Sequence, residues 1–147
     1  ASYSPSIKAF NIERAALDWL MTMSLQKMYE RFSNLRIVSV ENGSSFLPDL
    51  FRKLPQQKNK LMGWFKEDPL ELFKEHVWIN PFWEDDPYEV ADLMGPDRVV
   101  FGSDWPHIEG MPAPLDYVME LKEFSIDDQK KILLDNVSAL NEPRPLR

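Results

Sequence analysis

The segment 98–107 is the part of this chain best suited to chemistry, because an apolar run ends there at an acid followed by a histidine. Residues 99–101 are β-branched or aromatic without alternation, which predicts a short strand that is buried on both faces. Gly102 and Ser103 let the backbone turn, so we expect Asp104 to project from the carboxyl end of that strand. Ligands bind at this end of the strands in α/β folds. The alternative is that Ser103 and Asp104 simply begin a turn.

A second predicted strand also ends at an acid. Residues 35–40 form a strand-like run followed by Glu41, and a third short strand over 76–79 is followed by Asn80. Periodicity predicts helices over residues 12–32, 46–60, 69–74, 87–94, 115–124 and 125–135. Asp68–Pro69 is expected to open the third, Gly95 to close the fourth, and Ser125 with Asp128 to cap the last. Pro55 is expected to end or bend the second of them. This alternation favours a parallel sheet with helices outside, either an open sandwich or part of a barrel.

Composition limits the class of protein. The 147 residues suffice for one domain, taken as 1–147 with a frayed tail over 143–147. A net charge of -7 argues against nucleic-acid or anionic-membrane partners, and no apolar run is long enough to span a bilayer. The absence of cysteine excludes disulfides, thiolate metal sites and a cysteine nucleophile, and it fits a cytoplasmic location.

Two blocks of sequence resemble a known family. The segment 95–107, with Lys-Ile-Leu-Leu-Asp-Asn at 131–136, looks like the last strand and final helix of the amidohydrolase-related family, a branch that also holds aromatic-acid decarboxylases. Residues 34–43 and 46–48 resemble its sixth-strand region. The resemblance implies an α/β fold that corresponds to the later part of a TIM-type (β/α)8 barrel, with parallel strands, outer helices and metal ligands at the carboxyl ends of the strands.

The same resemblance assigns roles to four residues. Asp104 corresponds to the last-strand aspartate that binds a divalent metal ion, expected to be zinc, and accepts a proton from the metal-bound water. Trp105 and His107 would lie at the rim and contact a small-molecule substrate, although packing of a proline-rich loop is an equal alternative for both. Glu41 stands where decarboxylating members carry a histidine, so it could bind metal or transfer protons, and its presence favours hydrolysis over decarboxylation.

Several residues of the family pattern are missing from this sequence. The family carries a His-x-His pair on its first strand and a further histidine on its fifth, whereas this chain has only His76 and His107. His76 is expected to be structural, because it lies at the start of its predicted strand. The chain therefore resembles a carboxyl-terminal part, and a half barrel exposes sheet edges. We expect it to form a homo-oligomer or to associate with a missing amino-terminal half.

These observations leave several functions open. The first is a metal-dependent hydrolase acting on a small cyclic or carboxylated substrate, with Asp104 and Glu41 as catalytic residues. The others are an aromatic-acid decarboxylase of the same family, a catalytically inert barrel fragment acting only in assembly, and a small α/β binding module. The acidic run at 84–86 could suggest a cation site, but a solvated loop before a helix is the simpler interpretation.

Overall fold

A short parallel sheet lies at the centre of the fold. The computed structural model describes the backbone of residues 8–143 and the side chains of residues 13–143. Strand β1 (Ile37–Ser39) pairs in parallel with β2 (Val77–Ile79), with Val38 opposite Trp78. This arrangement confirms the predicted parallel sheet, although both strands are shorter than expected. Most of the predicted tail, residues 144–147, lies outside the described part.

The predicted fourth strand over residues 98–101 is wrong in extent. A single parallel bridge joins Val99 to Ile79, and the Val100 N–H donates to the Ile79 carbonyl at 2.9 Å. The next N–H, that of Phe101, donates instead to the Ile132 carbonyl at 3.1 Å. The backbone therefore leaves the sheet after one bridge, because its next hydrogen-bond partner belongs to a distant helical segment.

Helices surround the sheet and make up most of the regular secondary structure of the described residues. They are α1 (Lys8–Leu25), α2 (Met28–Arg31), α3 (Leu47–Lys60), α4 (Pro69–His76), α5 (Pro87–Met94), α6 (Ile126–Lys130) and α7 (Asn136–Asn141). A π-helical turn over Lys131–Asp135 joins α6 to α7, and 3₁₀ turns cover Pro96–Arg98 and Pro114–Met119. No helix in the described part of the chain is both long and apolar enough to cross a membrane.

Two of the helices expected from the sequence need correction. The single helix expected over 12–32 is divided, because Lys27 adopts a left-handed backbone between α1 and α2. Helix α3 instead ends at Lys60 as predicted; Pro55 lies inside it and does not end it, since Leu50 and Leu54 are buried in the core. The helix expected over 115–124 is a 3₁₀ turn followed by i→i+3 turns.

Local capping chemistry was predicted more successfully. Asp68 accepts hydrogen bonds from two backbone N–H groups at the start of α4, and Asp86 accepts one at the start of α5. Ser125 accepts from the Asp128 N–H, which confirms the predicted cap of α6. Gly95 follows α5 with a φ of 85°, a conformation that glycine adopts without steric penalty. These caps satisfy donors that the first helical turn leaves free.

The core lies between β2 and the surrounding helices. All three β2 residues are buried, and the buried helical side chains of the core include Leu20, Leu47, Leu50, Leu54, Phe73, Val90 and Ile132. His76 belongs to this core: it ends α4, stacks on Tyr29 at 5.1 Å, and places Nδ1 2.6 Å from the Leu35 carbonyl oxygen. The structural role expected of His76 is confirmed.

Candidate functional site

Asp104 follows the bridged segment within a closed loop. The Ser103 carbonyl accepts the Met111 N–H at 2.8 Å, and the Asp104 carbonyl accepts the His107 N–H at 2.8 Å. Asp104 itself has a φ of 53°, which is uncommon for a non-glycine residue. A Cβ at Gly110 would lie 2.4 Å from the Asp104 carbonyl oxygen, so only glycine lets the loop close this tightly.

Glu41 lines the same pocket as Asp104, but it follows β1, on the other side of β2. It lies two residues beyond the end of β1 and has a φ of 55°. Asn42 donates through Nδ2 to the Val40 carbonyl at 2.8 Å and fixes the chain just before and after it. The two acids that were expected at strand ends are therefore brought to one edge of the fold.

A pocket of about 470 Å³ lies at this edge. Its described lining consists of Glu41, Phe82, Trp83, Glu84, Gly102, Ser103, Asp104, His107 and Glu109. Three of the four residues singled out from the sequence thus share one pocket. The fourth, Trp105, is 66% exposed and is not part of this lining, so its contact with substrate stays a prediction.

Three of the lining residues could hold a metal ion together. His107 Nδ1 lies 3.4 Å from an Asp104 carboxylate oxygen and 2.9 Å from a Glu109 carboxylate oxygen. One ligand atom from each residue lies within 4.8 Å of the other two. Imidazole nitrogen with carboxylate oxygens suits zinc and several other divalent ions, so the residues present fit a metal of the expected kind.

Glu109 is a site residue that sequence reasoning missed. Its position two residues after His107 was the only available signal. The indole Nε1 of Trp83 donates to the Glu109 backbone carbonyl at 2.9 Å, which links the loop over residues 103–111 to the wall formed after β2. This contact joins segments that are distant in sequence, and no local pattern indicates it.

The three acids of the run at 84–86 have different structural roles. Glu84 is exposed and lines the pocket, whereas Asp86 caps α5. Asp85 accepts hydrogen bonds from the Ser44 hydroxyl and the Phe82 N–H at 2.8 and 3.1 Å. The expectation of a loop before a helix is confirmed for Asp86, but Glu84 belongs to the pocket.

Burial and neighbouring charges raise the pKa of Glu41. Burial raises the pKa of Glu41 above its usual range, and the negative charges of Asp104 and Glu84 raise it further. The imidazole of His107 acts in the opposite direction. Glu41 therefore keeps its proton to a higher pH than a free glutamic acid, which is the direction that a proton donor requires.

Below the pocket, a buried amide supports the segment that carries Asp104. Asn80 donates through Nδ2 to the carbonyls of Pro81 and Val100, each at 3.2 Å. A Cβ at Gly102 would lie 2.9 Å from the terminal atoms of that amide. The close approach of Gly102 to Asn80 thus sets where the chain turns toward Asp104.

Comparisons with known proteins agree with this geometry. A family model described as Amidohydrolase matches residues 10–140. An amidohydrolase of solved structure, map2389c from Mycobacterium avium subsp. paratuberculosis K-10, is 41% identical, with a TM-score of 0.84 over 87% of this chain. The 5-carboxyvanillate decarboxylase LigW from Sphingomonas paucimobilis is similar in fold alone, with 19% identity and a TM-score of 0.62 over 84% of this chain. A comparison with curated proteins gave no significant match.

The matched structures are much longer than the matching region. This chain spans 33% of map2389c and 38% of LigW. Their family implies a TIM barrel, and a parallel β1–β2 pair extended by the bridge at Val99 is consistent with part of one.

Proposed function

This chain belongs to the amidohydrolase family, and on that premise we propose that it forms one wall of the active site of a metal-dependent hydrolase acting on a small cyclic or carboxylated molecule. The observation that carries the proposal is the meeting of Asp104, His107 and Glu109 at one point of a pocket that Glu41 also lines. Family membership supports divalent-metal chemistry in general, and zinc is part of the proposal.

The proposed metal ligand on this chain is Asp104, joined by His107 and Glu109. A divalent ion held there would polarise a substrate carbonyl and make a nearby water more acidic. Asp104 would accept the proton that the attacking water releases. The backbone that carries its carboxylate is held by hydrogen bonds that close the loop over residues 103–111, which limits how far Asp104 can move when substrate binds.

Glu41 is the proposed proton donor to the leaving group. Its pKa is raised by burial and by the neighbouring carboxylates, so a protonated fraction persists nearer neutral pH. Phe82 and Trp83 form the apolar part of the pocket and would exclude water from one face of the substrate ring. Decarboxylation is the weaker candidate, because Glu41 replaces the histidine that decarboxylating relatives are expected to carry.

Metal content and turnover test this proposal directly. The chain is incubated with zinc, exchanged into metal-free buffer, and assayed for bound zinc and for hydrolysis of a panel of cyclic esters and amides. We expect Asp104→Asn to lose both metal and activity. Asp116→Asn is the matched control, because Asp116 is an exposed aspartate outside the pocket. Equal zinc retention by the two variants would reject Asp104 as a ligand.

The outer edge of β1 supports a proposal about partners. The Ser39 carbonyl accepts the Asn80 N–H at 2.8 Å, so Ser39 directs its backbone groups toward β2. Because neighbouring residues of a strand direct these groups to opposite sides, Val38 directs its own outward, where no strand lies among the described residues. We propose that this edge pairs with another strand, from a second copy or from a longer polypeptide that supplies the rest of a barrel.

Association through this edge is measurable by light scattering. We expect a mass above that of a single 147-residue chain, and Val38→Pro should reduce it, because proline removes the outward N–H. Val38→Thr keeps that N–H and is the control. A chain that is monomeric and turns over substrate would contradict the proposal, and one that associates without turnover would favour the inert assembly role. A cytoplasmic location remains a prediction.

A further inference from the structure

We propose that the substrate group lying on this wall is an organic cation carried on a small ring, and not a carboxylate. The proposal rests on the proposed function only in taking this pocket as the substrate site. It narrows the range of substrates that the sequence left open, which included carboxylated molecules.

The first argument is the sign of the pocket's charge. Four carboxylates line it, those of Glu41, Glu84, Asp104 and Glu109, and the described lining includes neither lysine nor arginine. A bound divalent ion would offset only two of these four negative charges, so the wall would still carry no net positive charge. Burial raises the pKa of Glu41, and the negative charges of Asp104, Glu84 and Glu109 raise it further, as expected where carboxylates share one pocket. A substrate carboxylate would add to the repulsion among these charges, whereas a cation would relieve it.

The second argument is the arrangement of apolar and acidic groups. Phe82 and Trp83 supply ring surface in the same pocket, directly before Glu84 in the chain. The Trp83 indole is held by its hydrogen bond to the Glu109 carbonyl, so Glu109 and the indole are fixed on neighbouring parts of the wall. Aromatic faces attract cations, and acids at their borders strengthen that attraction. A ring would pack on the aromatic surface while its cationic group meets the carboxylates.

Two probes of matched size separate cation from anion recognition. The chain is treated with EDTA and titrated with benzylammonium chloride or sodium benzoate, with binding followed by calorimetry, and the titrations are repeated with zinc. We expect benzylammonium to bind about tenfold more tightly in both series, and the difference to shrink as sodium chloride is raised. Tighter or equal binding of benzoate in either series, or no binding of benzylammonium, would overturn the proposal.

Substitutions of single acids test whether the preference for benzylammonium over benzoate comes from the pocket. Glu84→Gln and Glu109→Gln should each narrow the difference between the two probes severalfold. Glu67→Gln makes the same change at an exposed acid outside this pocket, and it should leave the difference intact. An equal effect of Glu67→Gln would show that only the net charge of the chain matters. The EDTA series requires neither metal nor turnover. The preference for benzylammonium over benzoate can therefore hold even if the hydrolase proposal fails, and hydrolase activity can hold even if this preference is absent.

Discussion

Glu41 and Asp104 share an uncommon backbone conformation, with φ values of 55° and 53°, and they line the same pocket after two segments that flank β2 on either side. Each follows a segment that pairs with β2 and turns sharply once the pairing ends. Left-handed backbone at a non-glycine residue persists only where the surrounding contacts hold it. The two turns therefore direct both carboxylates away from the sheet and toward one space.

The raised pKa of Glu41 predicts a pH-dependent stability difference. A carboxyl whose pKa is higher in the folded than in the unfolded chain stabilises the fold at low pH, and that contribution is lost as pH rises above its ordinary value of 4.5. Urea unfolding of wild type and Glu41→Gln at pH 4 and pH 7 should show the variant gaining relative stability at the higher pH. Glu67→Gln serves as the control, and a difference independent of pH would contradict the assignment.

Replacing Gly102 should disturb the support beneath Asp104. Gly102→Ala places a Cβ 2.9 Å from the Asn80 amide, and we expect the free energy of unfolding to fall by about 1–3 kcal/mol, as overpacking usually produces. Asn80→Ala removes the obstructing amide, so the double variant should lose less than the sum of the two single changes. Additive losses in chemical denaturation would show that the two residues are not coupled.

His107 and Glu109 should contribute to metal affinity beyond their charge. We expect His107→Ala and Glu109→Gln each to weaken zinc binding at least tenfold in a competition titration, because each removes one donor from the cluster. Glu84→Gln is the matched control, since it removes a carboxylate from the same pocket but outside the cluster. If all three changes weaken binding alike, the ion responds to overall charge and is not bound by specific ligands.

The cap of α4 provides a test of the fold that leaves the pocket intact. Asp68→Ala removes the acceptor for two N–H groups at the start of α4, and we expect a loss of about 0.5–2 kcal/mol in the free energy of unfolding. Asp68→Ser retains a capping oxygen and should recover most of it. Probe binding to the pocket should be unchanged in both variants, so a loss of binding would show that α4 supports the site more directly.

The parts of the fold that were predictable are those fixed by neighbours in sequence. Helix ends are marked in the sequence by the Asp–Pro pairs at 68–69 and 86–87 and by Gly95. Each of these signals depends only on a few adjacent residues, and the structure confirms all three helix ends. The strand expected over 98–101 depended on where Phe101 finds its acceptor, and Ile132 lies far along the chain. The strand propensity of residues 98–101 gives no information about such a distant hydrogen-bond partner.

The site shows the same division. Asp104 was recognisable because it ends an apolar run, and Glu41 because it ends another. Glu109 was not, since its place beside His107 depends on a loop closed by Ser103 and Met111 and on the indole of Trp83. Residues that are brought together by loop closure do not produce a periodic pattern in the sequence.

The hydrogen bond from Phe101 to Ile132 has a consequence for the order in which the site can form. Asn136 reinforces it by donating through Nδ2 to the carbonyls of Pro96 and Val99, at 2.8 and 2.7 Å. The segment that carries Asp104 is therefore clamped from outside by residues that leave the ribosome some thirty positions later. We therefore expect the acidic pocket to be completed only after residues 131–136 have been synthesised and have packed against the segment that carries Asp104.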